Sequence, residues 1–107
     1  MAEEFKRVKD VRAAYRGHCT RNMEQAKMIM GAWTDETSLE ELKDVLETVT
    51  SRMEKITLCD DKIEKLAKSE EIEKEVCDAL QYNDTLRALC RELGVHIEEW
   101  INPVEQV

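Results

Sequence analysis

Glycine and proline are scarce in this chain: three Gly and one Pro, and Pro103 lies close to the C-terminus. Aromatic residues make up only 5%. Sheets need turns and strands rich in β-branched or aromatic residues, so these shortages exclude most β architectures. Good helix formers (Ala, Leu, Glu, Lys, Met and Arg) dominate instead, and the expected class is all-α. Long apolar runs are missing too. The longest apolar-rich stretch, "MIMGAW", is far too short to span a bilayer. The opening residues "MAEEFKRVKD" have no apolar core of the signal-peptide kind. Cys19, Cys59, Cys77 and Cys90 include no Cys-x-x-Cys pair. Together these point to a soluble cytoplasmic protein with reduced thiols, one domain over residues 1–107, and no cofactor.

Chemical signatures are equally thin. There is no Gly-rich phosphate loop, no Ser-His-Asp arrangement and no Gly-bearing calcium loop. The chain reads as a non-enzyme without a small-molecule substrate.

Charge is what the chain has in quantity. The net charge is −8, but it is divided unevenly. Residues 1–30 hold seven Lys or Arg against four acids, an excess of +3, and residues 31–107 hold nine against twenty. A basic first segment and an acidic remainder either attract each other within the fold or serve different partners.

Apolar spacing then divides the chain into three helices, roughly 3–31, 39–67 and 70–100. In the third, Ile72, Val76, Ala79, Asn83, Leu86, Cys90, Leu93, Ile97 and Trp100 alternate steps of four and three. That heptad seam keeps one stripe toward a partner helix, and its polar member Asn83 is a position that sets register or partner number. Gly94 in "ELGV" is either a helix stop or a weak spot, and the continuing heptad favours continuation. The second helix carries Leu39, Leu42, Leu46, Val49, Met53, Ile56, Asp60, Ile63 and Ala67, with Ser38 and Glu41 spaced as a capping box. Asp60 interrupts its stripe. Drift of the contact face, with Asp60 near solvent, is the simpler reading; a bend or a polar pair across the helices is the other. Ser69 can cap the third helix, so the two would fold back near Lys68–Ser69 as an antiparallel acidic hairpin over 38–101, against the alternative of one continuous helix. The acidic runs read as solvated faces with i,i+4 pairs such as Asp61–Lys65 and Glu70–Lys74.

The first helix offers Phe5, Val8, Val11, Tyr15, Cys19, Asn22, Ala26, Ile29 and Trp33 at similar spacing. Within it, "YRGHCTR" gathers His18 and Cys19, which point about 100° apart and lack a third group for catalysis. The cluster therefore reads as packing and docking. Gly17, costing about 1 kcal/mol relative to Ala in a helix interior, would permit close approach of the hairpin. Cys19 would be a buried thiol and Thr20 a back-bonding hydroxyl. Arg16 and Arg21 would bridge to acids of the other helices.

The pattern Arg16-Gly17-x-x-Thr20-Arg21, followed by "SLEELKDVLETVTSRMEKITLCDDKIEKL" and "EEIEKEVCDALQYNDTL", resembles the N-terminal helical region of Gag-like polyproteins of Bel/Pao-type LTR retrotransposons. The resemblance covers roughly residues 8–93, and its distinctive element is Arg-Gly-x-x-Thr-Arg. It implies a non-enzymatic helical assembly module, excised from such a polyprotein or a host protein derived from one.

The leading functional expectation is thus a protein-interaction module, associating with itself or with another helical protein through leftover apolar seam. Arg16, Gly17, Thr20, Arg21, Asn83, Trp33 and Trp100 would be its packing and interaction residues. The alternative is an RNA- or membrane-surface-binding module with Lys6, Arg7, Lys9 and Arg12 as a basic face.

Overall fold

The computed structural model describes residues 2–101, which form α1 (Ala2–Gly31), α2 (Glu36–Leu66) and α3 (Ser69–Ile101). Short connections reverse the chain twice, so α1 and α3 run parallel and α2 runs antiparallel to both. The result is an elongated three-helix bundle, 55 × 23 × 17 Å between Cα extremes. Helix α2 packs closely against each neighbour, and α2 with α3 forms the expected hairpin. Helices α1 and α3 approach each other far less closely through their backbones. Long side chains close the space between them.

The helix ends explain the turns. Asp35, extended at φ −163° and ψ −161°, caps α2 by accepting from the Thr37 amide at 2.9 Å. The expected box on Ser38 and Glu41 is therefore displaced by three residues. Asp35 is the first residue of "TDETS" with a carboxylate able to reach the free amides, and the helix starts behind it. Ser38 is instead buried, and its hydroxyl oxygen accepts from the Thr34 amide at 3.2 Å. At the hairpin turn, Ala67 leaves the helix in an extended conformation, and the Lys68 carbonyl accepts from Glu71 and Ile72. Ser69 is thus the first helical residue rather than the cap. Gly94 lies inside α3 with no positive φ, so the helix continues through it. Of the i,i+4 pairs expected on the acidic runs, neither Asp61–Lys65 nor Glu70–Lys74 closes; among the described residues the intrahelical ion pair is Lys43–Glu40.

The bundle has two unlike halves. In the half away from the hairpin turn, Cys19, Met23 and Ala26 of α1 pack with Leu39, Leu42, Val45, Val49 and Ile56 of α2 and with Leu86, Leu93 and Ile97 of α3. Cys19, Ala26, Leu42, Val49 and Ile56 are fully enclosed. Removal of this apolar surface from water is the main driving force of the fold. In the other half, the inner positions of α1 and α3 are held by Arg12 and Glu75, both buried. In this half, α1 and α3 are each rotated relative to the heptad stripe that holds in the other half. Val11, expected on the inner stripe, is 40% exposed, and its neighbour Arg12 faces inward. On α3 the same rotation leaves Ile72 exposed while Glu75 is covered.

Gly17 is not the site of a close helix approach. A Cβ built there would meet only Nη1 of Arg21, at 3.7 Å, which is ordinary van der Waals contact with the tip of a flexible side chain. The spacing between α1 and α3 is set by long side chains, so no backbone comes near. Gly17→Ala should therefore stabilise the fold by about 1 kcal/mol, through helix propensity alone. Thermal unfolding followed by circular dichroism should show a rise in Tm of about 4–8 °C; a fall would mean that the glycine is required.

Candidate functional site

The densest polar constellation links all three helices in the half nearest the hairpin turn. Lys9, Arg12 and Arg16 are spaced i, i+3, i+7 on α1, which places them on one face. Glu75, Asp78 and Tyr82 have the same spacing on α3. Because these helices are parallel, the two triplets meet in order, and Asp60 reaches them from α2.

Arg12 is the centre, with its side chain only 6% exposed. Its Nη1 donates to Oδ1 of Asp60 at 2.9 Å and its Nη2 to Oε2 of Glu75 at 3.2 Å, with Oδ2 of Asp78 at 3.6 Å. Lys9 Nζ donates to the other Glu75 oxygen at 3.0 Å. Arg16 Nη1 donates to Asp78 Oδ2 at 2.9 Å, and its guanidinium lies over the Tyr82 ring, 4.3 Å from the centroid. The Tyr82 hydroxyl donates to the Arg16 carbonyl at 3.0 Å. Asn83 Nδ2 donates to the second oxygen of Asp60 at 3.4 Å. Three cations thus meet three carboxylates, and the cluster is neutral.

Its electrostatics are those of a structural clamp. Burial alone would push the Glu75 carboxyl up, but hydrogen bonds and charge from Lys9 and Arg12 outweigh it and hold the group below its ordinary value of 4.5. Burial pushes the Tyr82 hydroxyl up, so it stays a neutral donor. A guanidinium does not deprotonate in a protein, so Arg12 can be buried only with compensating carboxylates. The carboxylates of the cluster are ion-paired. Burial raises the pKa of Cys19, Cys59 and Cys90, with Asp60 adding to the effect at Cys59. All four cysteines are unpaired. Among the described residues no group of three or more His, Cys, Asp or Glu is placed to hold a metal ion.

The residues singled out in sequence are distributed unevenly around this cluster. Arg16 bridges to the hairpin as expected, and Thr20 donates back to the Arg16 carbonyl at 3.0 Å. Cys19 is fully buried. Among the described residues Arg21 bridges to no acid; it is exposed and contacts His18 Nδ1 at 2.9 Å. Five residues from Arg16 amount to about 140° around the helix, so the two arginines cannot serve one face. The proposed basic face divides in the same way. Lys6 and Arg7 are exposed, whereas Arg12 is buried and Lys9 is engaged with Glu75. Asp60 is a polar pair across the helices, its side chain 11% exposed, rather than a solvated interruption. Asn83 lies half-buried beside it. Trp33, in the connection between α1 and α2, packs edge-on against His96 and Trp100, with ring centroids at 4.8 and 5.3 Å, and ties that connection to the far end of α3. Glu75, Asp78 and Tyr82 escaped sequence reading; the signal was the repeat of one spacing, basic on α1 and mainly acidic on α3.

Comparison with known proteins finds no matching family model, curated protein or solved structure. No helix among the described residues is long and apolar enough to cross a membrane.

The lowered Glu75 value fixes a pH dependence. A group whose folded value lies below its unfolded one adds stability above the unfolded value and loses it as pH falls through the folded one. Urea midpoints should thus fall as pH drops from about 5 toward 3. Glu75→Gln should be less stable at neutral pH and show a smaller fall. Parallel pH curves for the two proteins would show that Glu75 contributes no such linkage.

Proposed function

We propose that this chain is a non-enzymatic helical protein-interaction module whose docking face is the uncovered first half of the α3 seam. The observation that carries the reading is an apolar strip at Ile72, Val76, Ala79 and Leu80, spaced i, i+4, i+7, i+8. Ile72 is 38% and Leu80 59% exposed, while Val76 and Ala79 are half-buried. Among the described residues, the buried members of the seam, Leu86, Leu93 and Ile97, all lie in its second half, and the first half is at most half-buried. Contiguous exposed apolar surface of this kind marks contact sites more often than isolated exposed residues do. Knobs at these spacings suit the groove-packing of another helix.

Self-association through the strip is the form this function takes in the Gag-like reading, where neighbouring copies assemble. The four unpaired thiols fit a reducing, cytoplasmic setting. The competing function, a basic surface for RNA or membrane headgroups, is weakened by charge. The +3 excess of the first segment equals the charge of Lys9, Arg12 and Arg16, all three paired with carboxylates. What remains on α1 balances.

Selection from a random library of helix-forming peptides tests the reading without presupposing a partner. Enriched peptides should compete for one site and lose binding to an Ile72→Ser/Leu80→Ser variant that keeps its helical circular dichroism. If no enriched peptide depends on these two residues, the strip is not a docking face.

A further inference from the structure

We infer that the strip takes a cationic amphipathic helix of a partner protein, seated in the groove between α2 and α3. This rests on the interaction reading above and specifies the partner. The groove has an apolar floor of Val76, Ala79 and Leu80 on α3 and a wall of Thr57, Asp61 and Glu64 on α2. Its two exposed wall carboxylates are uncommitted: among the described residues, no cation lies within ion-pair distance of Asp61 or Glu64. The deeper acids Asp60 and Glu75 are already neutralised by Arg12 and Lys9. An apolar floor beside free carboxylates matches a lysine or arginine side chain, whose aliphatic stem lies on Leu80 and whose head reaches the wall. The chain's net charge of −8 draws such a segment from a distance. A second copy brings the same −8 and the same acidic wall, so like charge opposes it.

The test is a fluorescence-anisotropy titration of the full chain with two labelled peptides of about 20 residues, long enough to be helical. One pairs a leucine face with lysines; the other has the same pattern with glutamates. The Leu/Lys peptide should bind saturably, and the Leu/Glu peptide should not. Leu80→Ser and, separately, Asp61→Asn/Glu64→Gln should each weaken the Leu/Lys peptide by about tenfold, equivalent to about 1.4 kcal/mol. A control pair far along α2, Glu40→Gln/Glu47→Gln, should change it by less than about twofold. Equal weakening by the control pair would reduce the binding to diffuse charge attraction and overturn the inference. Equal binding of the Leu/Glu peptide through Leu80 would overturn the partner class but leave the interaction module standing. So would sedimentation showing that copies associate through Leu80. If no peptide and no second copy responds to Leu80, both fail.

Discussion

A guanidinium buried where two helices cannot touch is the constraint on which the bundle depends. Arg12 carries a permanent charge into a site from which water is largely excluded, and desolvating that charge is expensive unless carboxylates meet it. Asp60 and Glu75 meet it from two different helices. The same contacts fix where α1 stands relative to α3, because the backbones of this pair are too far apart to interlock. Lys9 and Arg16 extend the clamp by one turn on either side, and the paired spacings on α1 and α3 make only one axial alignment satisfy all six charges. A buried pair of this kind favours one arrangement over its alternatives more than it adds net stability. The apolar half of the molecule supplies the stability, and Trp33 with His96 and Trp100 closes the far end.

Placing ions between α1 and α3, beside the buried Ile63 of α2, has a consequence at the surface. With Glu75 turned inward, the apolar stripe of α3 is rotated toward the flank of α2. Among the described residues, Ile72 and Leu80 stay exposed and Val76 and Ala79 are only half covered. The clamp and the exposed apolar strip are therefore two results of one rotation. Pairing Lys9 and Arg12 with carboxylates is a third, and it leaves Lys6 and Arg7 as the exposed members of the basic set.

Much of this architecture was legible in the sequence. The three helices, the hairpin turn and the passage through Gly94 follow from strong three–four spacing and from few breakers. The faces were harder. On α1, Val11 and Arg12 are adjacent, and periodicity cannot decide which one turns inward when apolar and basic residues alternate along a helix. That decision depends on the acids of α3, some sixty residues away along the chain. Gly17 misled for a related reason: a helical glycine implies close approach only where backbones meet, and here long side chains hold them apart. Asp35 and Ser38 are both good caps within four residues, and only the three-dimensional path selects between them. Asp60 reads as a flaw in a stripe until its partner is known.

Arg12 and Glu75 form one energetic unit that sets α1 against α3. A double-mutant cycle on Arg12→Ala and Glu75→Ala, measured by urea unfolding at neutral pH, tests it most directly. Arg12→Ala alone should cost about 3–5 kcal/mol, because it removes the cation shared by the buried Glu75 and the largely covered Asp60 and leaves them such partners as Lys9 and Asn83. The double variant should recover part of that loss, with a coupling of about 1–3 kcal/mol. Additive losses, with Arg12→Ala costing less than about 1 kcal/mol as for an exposed pair, would contradict it.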